Sequence, residues 1–143
     1  MVQSILCVCL GNICRSPTAE AVLRAHLPDL RIDSAGTGDW HVGQPPHGPA
    51  ITAAAARGYD LTGQRARQVV RADFKRFDLI LAMDEQNLRD LRAMAPEARN
   101  LHLFRTHSGG GAVPDPYHTG DFDHALDLIE DAARAWATHL QAG

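Results

Sequence analysis

A chain of 143 residues, 45% of them hydrophobic, can bury the core of one compact domain, and we expect a single domain over residues 1–143. The formal net charge of −3 argues against a general affinity for nucleic acid or anionic membranes, so positive potential must be local to a site. No apolar stretch approaches the roughly 20 residues of a membrane span, and the first residues lack the features of a signal peptide. These absences favour a cytoplasmic protein and leave export by a signal-independent route open.

The cysteines and histidines do not form the patterns of a disulfide framework or a metal site. The cysteines number three, an odd count, which favours a reducing cytoplasm. The eight histidines are scattered, without paired spacing beside cysteines or carboxylates. We therefore expect no metal ion and no cofactor.

The first half of the chain alternates short apolar runs with helical patterns. Residues 5–8 have the length and composition of a buried strand, and apolar side chains at helical spacing over 18–27 predict a helix. Residues 30–34 alternate in polarity and predict a second strand. An alanine-rich segment over 50–57 predicts another helix, which Gly58 ends as a C-cap.

The second half continues this alternation. Residues 77–83 form the clearest buried strand, and Asp84 caps the helix that follows it. A short strand is predicted over 101–104 and irregular chain over 105–120. The last segment, 122–140, has apolar side chains on one face and predicts an amphipathic helix.

This order of elements predicts an α/β fold. Strands that alternate with helices build a three-layer sandwich, in which a four-stranded parallel twisted sheet carries helices on both faces. In such sheets a ligand binds at the carboxyl ends of the strands, where the strand order reverses. The loop after the first strand is therefore the expected position of a binding site.

That loop is the segment 9–17, Cys-Leu-Gly-Asn-Ile-Cys-Arg-Ser-Pro. Ser16 and Pro17 indicate the start of the helix, with proline at the first helical position. Several backbone N–H groups of such a loop can point at one anion, and the helix dipole favours negative charge at the same place. The segment therefore predicts a phosphate-binding loop with a thiol at its mouth.

Individual side chains of this loop suit phosphoryl transfer. Cys9, which faces N–H groups and Arg15, is expected to be a thiolate and to act as the nucleophile. Arg15 supplies a planar fork for two phosphoryl oxygens, and Ser16 can hydrogen-bond the sulfur. Gly11 and Asn12 tolerate the positive φ that a loop curling round an anion demands.

Two residues that could have a functional role are better assigned to the core. A free cysteine is more often a small buried hydrophobe than a nucleophile, and Cys7, inside the first predicted strand, is interpreted in that way. Trp136 lies at helical spacing on the apolar face of the last helix and is also expected to be buried.

Two further loops carry candidate site residues. Asp115 lies between two prolines that can aim its carboxyl group, and it is the candidate general acid. The alternative is a turn aspartate beside prolines. Trp40 lies in a polar, glycine-rich loop, where it can stack on a flat substrate group or be a structural residue at a loop edge.

As a set, these segments resemble the low-molecular-weight protein tyrosine phosphatases. The matching segments are 9–17, 33–43, 66–69, 83–88 and Asp115-Pro116-Tyr117, so the resemblance spans nearly the whole chain. It implies an enzyme that hydrolyses phosphotyrosine, and aryl phosphates, through a phosphocysteine on Cys9. It also implies that Arg15 binds the phosphoryl group and that Asp115 is the acid in the first step and the base in the second.

The resemblance assigns further roles along the chain. The phosphate- and substrate-binding residues that it implies are Leu10, Gly11, Asn12, Ile13, Cys14, Ser16, Trp40 and Tyr117. Ser34 would support the loop through hydrogen bonds. Cys14 could also form a reversible disulfide with Cys9, which would protect the nucleophile from over-oxidation.

The chain departs from the family pattern at three positions. Gln64 stands where many relatives have a histidine that bonds the loop asparagine, so that support is expected to be weaker or differently made. His47 replaces a common aspartate after the Trp40 loop, and His118 replaces the second tyrosine of the acid loop. The last change removes a site of regulatory phosphorylation and alters the cleft mouth.

Two other activities of the same fold fit less well. An arsenate reductase would need a further cysteine pair, and no cysteine follows Cys14. Protein-arginine phosphatases carry threonine where Ile13 stands and phenylalanine where Tyr117 stands. Both residues therefore favour a tyrosine-type cleft.

A phosphate-binding module without catalysis is the alternative from another class. The joint presence of Cys9, Arg15 and Asp115 argues against it. The partner we expect is a phosphotyrosine-containing protein, either a bacterial tyrosine kinase or a host protein, with inorganic phosphate as the product. No nucleic acid partner is expected.

Overall fold

The computed structural model describes residues 1–142. Its strands are β1 (Ser4–Cys9), β2 (Arg31–Gly36), β3 (Leu79–Ala82) and β4 (Leu101–Leu103). Its helices are α1 (Arg15–His26), α2 (Gly48–Ala55), α3 (Asp73–Arg76), α4 (Glu85–Met94), α5 (Pro116–Thr119) and α6 (Phe122–Ala142). The strands form one four-stranded sheet in the order β2-β1-β3-β4, and every neighbouring pair is parallel.

Helices cover both faces of this sheet, and β1 is therefore buried on both sides. Ile5 and Cys7 pack into a core that includes apolar residues of α1 and α6. Leu6 and Val8, which point to the other face, pack against a second core that includes Leu88 of α4. The predicted α/β sandwich is confirmed.

Several local predictions differ from the structure by a residue or two. Helix α1 begins at Arg15, so Pro17 occupies its third position rather than its first. Proline is tolerated there because the first N–H groups of a helix lack intrahelical partners. Helix α2 ends at Ala55, and Gly58 adopts a φ of +89° in the turn beyond it. The helices α3 and α5 have four residues each, too few to produce a periodic pattern.

Both residues that were assigned to the core lie there. Cys7 is fully buried within β1, and Trp136 is 3% exposed. The indole Nε1–H of Trp136 donates a hydrogen bond of 2.7 Å to the carbonyl oxygen of Phe104. This bond ties α6 to the segment that follows β4.

The carboxyl ends of the strands meet at one edge of the sheet. Strand β1 ends at Cys9, between β2 and β3, and its chain continues through the loop into α1. The strand order reverses beside β1, which is where α/β sheets bind ligands. Among residues 1–142, none of the helices has the length and apolar character needed to cross a membrane.

Candidate active site

The loop between β1 and α1 folds round the sulfur of Cys9. Asn12 adopts a left-handed conformation with a φ of +57°, and its backbone N–H donates to the Cys9 Sγ at 3.2 Å. The prediction of positive φ is right for Asn12 and wrong for Gly11, which is not among the residues with positive φ. A Cβ at Gly11 would lie 3.1 Å from the ring of His41, so this glycine serves close packing.

Buried polar side chains hold this loop from behind. The Oγ of Ser16 lies 3.0 Å from the Cys9 Sγ. The amide nitrogen of Asn12 donates to the hydroxyl oxygens of Ser16, at 2.8 Å, and Ser34, at 3.0 Å. The amide oxygen of Asn12 accepts from the backbone N–H of Arg67 at 3.0 Å. The sulfur therefore has two polar partners, the Asn12 backbone N–H and the Ser16 hydroxyl group.

The Arg15 guanidinium is held by two segments that are distant in sequence. Arg15 is 3% exposed, and its Nη1 donates to the Asp84 carboxylate at 2.8 Å and to the Val113 carbonyl at 2.9 Å. The sequence predicted only a helix-capping role for Asp84, and Asp84 has that role too, since its Oδ1 accepts from the Asn87 N–H. An aspartate directly after a buried strand, at the edge where the strands end, was the signal available for its second role.

Asp115 is the N-cap of α5 and lies beside Arg15. Its Oδ1 accepts from the backbone N–H of Tyr117 at 3.1 Å, which fixes the orientation of the carboxyl group. Its Oδ2 lies 3.7 Å from the Arg15 Nη2 and 3.8 Å from the His118 Nε2. With 24% of its side chain exposed, this carboxyl group can exchange protons with water.

A cleft of about 230 Å³ opens above the loop. Its lining includes the predicted residues Cys9, Leu10, Gly11, Ile13, Cys14, Arg15, Trp40, Asp115 and Tyr117, together with His41 and His118. The side chains of Trp40 and Tyr117 are 68% and 52% exposed. Their rings therefore offer apolar surface on which a ligand can pack. Over residues 1–142, no group of three or more His, Cys, Asp or Glu side chains is arranged to hold a metal ion.

Two glycines with no role predicted from the sequence shape this cleft. A Cβ at Gly36, the last residue of β2, would lie 2.7 Å from the Leu10 carbonyl oxygen, so the phosphate loop packs directly on this backbone. A Cβ at Gly38 would lie 1.9 Å from the ring of Trp40. Any larger residue at position 38 would therefore displace the Trp40 ring. Neither contact has a signature in the sequence beyond the glycine itself.

The three cysteines are present as free thiols in different settings. Cys14 is 4% exposed, and it lines the same cleft as Cys9. Burial, reinforced by the charges of Cys9 and Asp115, raises the pKa of Cys14 to about 12. Cys14 is therefore a neutral thiol at physiological pH.

The three departures from the family pattern have distinct settings. Gln64 donates from Nε2 to the Pro17 carbonyl at 2.9 Å, while its Oε1 is 3.4 Å from the Ser34 Oγ. The ring of His47 lies 5.1 Å from that of Tyr117, so the histidine backs one of the exposed aromatic residues of the cleft. His118 packs edge-on against Tyr117 as well as approaching Asp115.

Known proteins resemble this chain in sequence and in fold. The family described as low molecular weight phosphotyrosine protein phosphatase matches residues 4–143. The low molecular weight protein-tyrosine-phosphatase YfkJ of Bacillus subtilis is 40% identical over an alignment of 149 positions, gaps included, that covers 96% of each chain. Its counterpart Wzb of Escherichia coli is 41% identical over an alignment of 145 positions, gaps included, that covers 99% of this chain and 98% of Wzb. The solved structure of Vibrio vulnificus Wzb in complex with benzylphosphonate matches with a TM-score of 0.92 and 38% identity, covering 97% of this chain and 99% of that one. The chain therefore belongs to the low molecular weight protein-tyrosine-phosphatase family.

Proposed function

We propose that this chain hydrolyses phosphotyrosine in proteins, and aryl phosphates, in two steps through a phosphocysteine on Cys9. The observation that carries the proposal is one cleft lined by a thiol, a buried guanidinium and a carboxyl group, with exposed aromatic side chains at its mouth. The complex of Vibrio vulnificus Wzb with benzylphosphonate, an aromatic phosphonate, supports a similar ligand here. The domain we assign to this activity is residues 1–143.

In the first step the Cys9 thiolate attacks phosphorus. A P–S bond forms, the bond between phosphorus and the tyrosine oxygen breaks, and Asp115 gives its proton to the departing oxygen. Because Nη1 of Arg15 is occupied by Asp84 and Val113, the Nε–Nη2 edge is the pair of donors for two phosphoryl oxygens. The loop N–H groups stabilise the remaining charge.

In the second step water releases the phosphoryl group. The Asp115 carboxylate takes a proton from water, the water oxygen bonds to phosphorus, and the P–S bond breaks to give inorganic phosphate and the thiolate. The hydroxyl group of Ser16, 3.0 Å from the sulfur, stabilises the departing thiolate. Asp115 is then protonated and ready for the next substrate.

The substrate class follows from the cleft walls. Trp40 and Tyr117 would receive the flat ring of phosphotyrosine, and Ile13 adds apolar lining. A comparison of a phosphotyrosine peptide with phosphoarginine tests this assignment, with Cys9→Ser as the inactive control. We expect turnover of phosphotyrosine only. A preference for phosphoarginine would reassign the substrate, and no turnover of either would leave a phosphate-binding module.

We further propose that Cys14 protects Cys9 during oxidation. Peroxide converts the Cys9 thiolate to a sulfenic acid, the Cys14 sulfur then bonds to it with loss of water, and an external thiol reduces the disulfide. The neutral Cys14 thiol makes this closure slow at neutral pH and faster as pH rises. Peroxide inactivation of Cys14→Ser should be less reversible by thiol than that of the parent or of Cys7→Ser, which alters a fully buried cysteine. Equal reversibility would remove Cys14 from this role.

The physiological substrate we propose is a cytoplasmic phosphotyrosine protein, either a bacterial tyrosine kinase or a host protein reached by export. The net charge of −3 supports a protein partner over nucleic acid. A Cys9→Ser variant that binds but does not turn over phosphotyrosine would capture such a protein from cells. Its identification by mass spectrometry would decide between the two sources.

A further inference from the structure

The segment 105–112, which we call the glycine loop, is wrapped round the side chain of its first residue, Arg105. The Nη2 of Arg105 donates to the Ser108 carbonyl at 3.2 Å, and its Nη1 donates to the Ala112 carbonyl at 3.2 Å. The backbone carbonyl of Arg105 accepts from the N–H groups of Ser108, at 3.0 Å, and Gly110, at 2.8 Å. One arginine therefore holds the beginning, the middle and the end of this loop.

The three consecutive glycines let the chain approach the guanidinium closely. Gly109, Gly110 and Gly111 all have positive φ, at +100°, +73° and +79°. A Cβ at Gly109 would lie 3.3 Å from the Arg105 Nη2, and one at Gly111 would lie 3.7 Å from its Nη1. Three glycines in a row lose much conformational entropy when they are ordered. The conformation of the loop therefore depends on the contacts that Arg105 makes.

The guanidinium of Arg105 acts on backbone groups rather than on an acid. Its two hydrogen bonds go to carbonyl oxygens, and its Nε is buried without a hydrogen-bond partner among the described residues. The planar fork of an arginine can reach two separate acceptors at fixed angles. The side chain is therefore suited to fixing the distance between the Ser108 and Ala112 carbonyl groups.

The peptide group between Ala112 and Val113 is held at both of its polar atoms. Its carbonyl oxygen accepts from Arg105, and its N–H donates at 2.8 Å to the carbonyl oxygen of Met83, the residue after β3. Because the N–H and C=O of one peptide group share a plane, these two contacts set the orientation of that plane. Val113 itself is fully buried.

This peptide group leads directly into two groups of the proposed mechanism. The Val113 carbonyl accepts from the Arg15 Nη1 at 2.9 Å, and Asp115 follows two residues later. Pro114, between them, has a φ that its ring restricts. A rotation of the peptide group between Ala112 and Val113 would therefore move both the acceptor for Arg15 and the carboxyl group of Asp115.

We propose that Arg105 is a positioning residue for the general acid: it closes the glycine loop and thereby aims the Asp115 carboxyl group and the Val113 carbonyl that holds Arg15. This inference rests on the proposed function, in which Asp115 protonates the departing oxygen. Arg105 does not line the cleft, so it has no contact with substrate. Its effect reaches the reaction through the backbone from Ala112 to Asp115.

Two variants of Arg105 and one matched control test the proposal. Arg105→Met removes both the charge and the donors. Arg105→Lys keeps the charge, but an ammonium group cannot hold two separate carbonyl groups as the planar fork does. Arg31→Met is the control, because this guanidinium also donates to a backbone carbonyl, that of Arg76 at 2.7 Å, but lies at the start of β2, away from the carboxyl ends of the strands.

The main readout is the dependence of kcat/KM on the leaving group. Phenyl phosphate has a leaving oxygen that needs a proton, whereas that of 2,4-dinitrophenyl phosphate needs none. Since kcat/KM covers the first step, a misplaced Asp115 should slow the first substrate selectively. The second readout is the phosphate concentration that half-protects Cys9 from alkylation by iodoacetate, which reports the grip of Arg15 on phosphate without turnover. All variants are compared below the lowest of their unfolding temperatures.

Both Arg105 variants should lose about tenfold or more in kcat/KM on phenyl phosphate, because a small misplacement of a reacting group is costly, and much less on 2,4-dinitrophenyl phosphate. The half-protecting phosphate concentration should rise by roughly threefold or more, and Arg31→Met should behave as the parent does.

Equal losses on the two substrates would overturn the proposal, because they would leave Arg105 a purely structural role. A lysine variant that behaves as the parent would also overturn it, since the charge alone would then suffice. Unchanged phosphate protection would exclude the effect on Arg15. If the parent itself hydrolysed neither substrate, the proposed function would fail, while phosphate protection would still show whether Arg105 acts on Arg15.

Discussion

Asp84→Asn is the change that tests most sharply how Arg15 is held. The Asp84 Oδ2 accepts from the Arg15 Nη1 at 2.8 Å, and the side chains are 26% and 4% exposed, so the pair is largely desolvated. A hydrogen bond to a charged group contributes about 1.5–3 kcal/mol, which corresponds to roughly a 10- to 100-fold change in affinity. Asparagine caps helices as well as aspartate does, so α4 should keep its N-terminus. The unfolding temperature should fall, because the buried Arg15 guanidinium loses a charged partner.

The assay is inhibition of aryl phosphate hydrolysis by inorganic phosphate. We expect Asp84→Asn to weaken phosphate inhibition, toward the lower end of that range because the Val113 carbonyl still accepts from the Arg15 Nη1. Asp90→Asn is the matched control, since this carboxylate of the same helix accepts from Gln86. Unchanged phosphate inhibition in Asp84→Asn would refute the idea that Asp84 orients the guanidinium.

Three other predictions concern the acid, the loop backbone and the pH dependence of stability. Asp115→Asn should slow phosphotyrosine turnover by roughly 10²-fold or more, and it should matter less for an aryl phosphate whose leaving group needs no proton; equal losses on both substrates would exclude the acid role. Gly36→Ala should reduce kcat/KM by about tenfold or more, because its Cβ would meet the Leu10 carbonyl, whereas Gly48→Ala, where a Cβ has open space, should not. Burial, together with the charges of His139 and His102, lowers the pKa of His107 in the folded protein. As pH drops below about 6.5, His107 of the unfolded chain is therefore protonated before that of the folded chain, and the stability of the fold should fall. In a thermal unfolding series, His107→Gln should flatten that dependence, and an unchanged slope would contradict the assignment.

The fold could be predicted from the sequence because its elements are long or strongly patterned. The run over 77–83 and the amphipathic face of 122–140 follow directly from hydrophobic spacing. Helices α3 and α5 could not be predicted, since four residues hold one turn and no period. The predicted start of α1 was two residues too late, at Pro17 instead of Arg15. Proline is acceptable at any of the first helical positions, so Pro17 did not fix the boundary.

The residues of the site also fall into those that the sequence predicts and those that only the structure shows. The contiguous motif identified the loop from Cys9 to Pro17, and the Asp-Pro pair identified the acid candidate. Asp84 was missed as a partner of Arg15 because this contact depends on the packing of separate segments: Asp84 lies 69 residues from Arg15 in sequence. The sequence predicted backbone freedom at Gly11 and no role for Gly36, and only the packed structure shows that each glycine makes room for a neighbour.

The most direct measurement is the trapping of the covalent intermediate. An acid quench during turnover of a phosphotyrosine peptide, followed by digestion and mass spectrometry, would locate any phosphoryl group on the enzyme. Nucleophilic catalysis by Cys9 predicts one phosphoryl group on the peptide that contains Cys9, and none in Cys9→Ser. A phosphoryl group on another residue, or turnover that persists in Cys9→Ser, would contradict the mechanism.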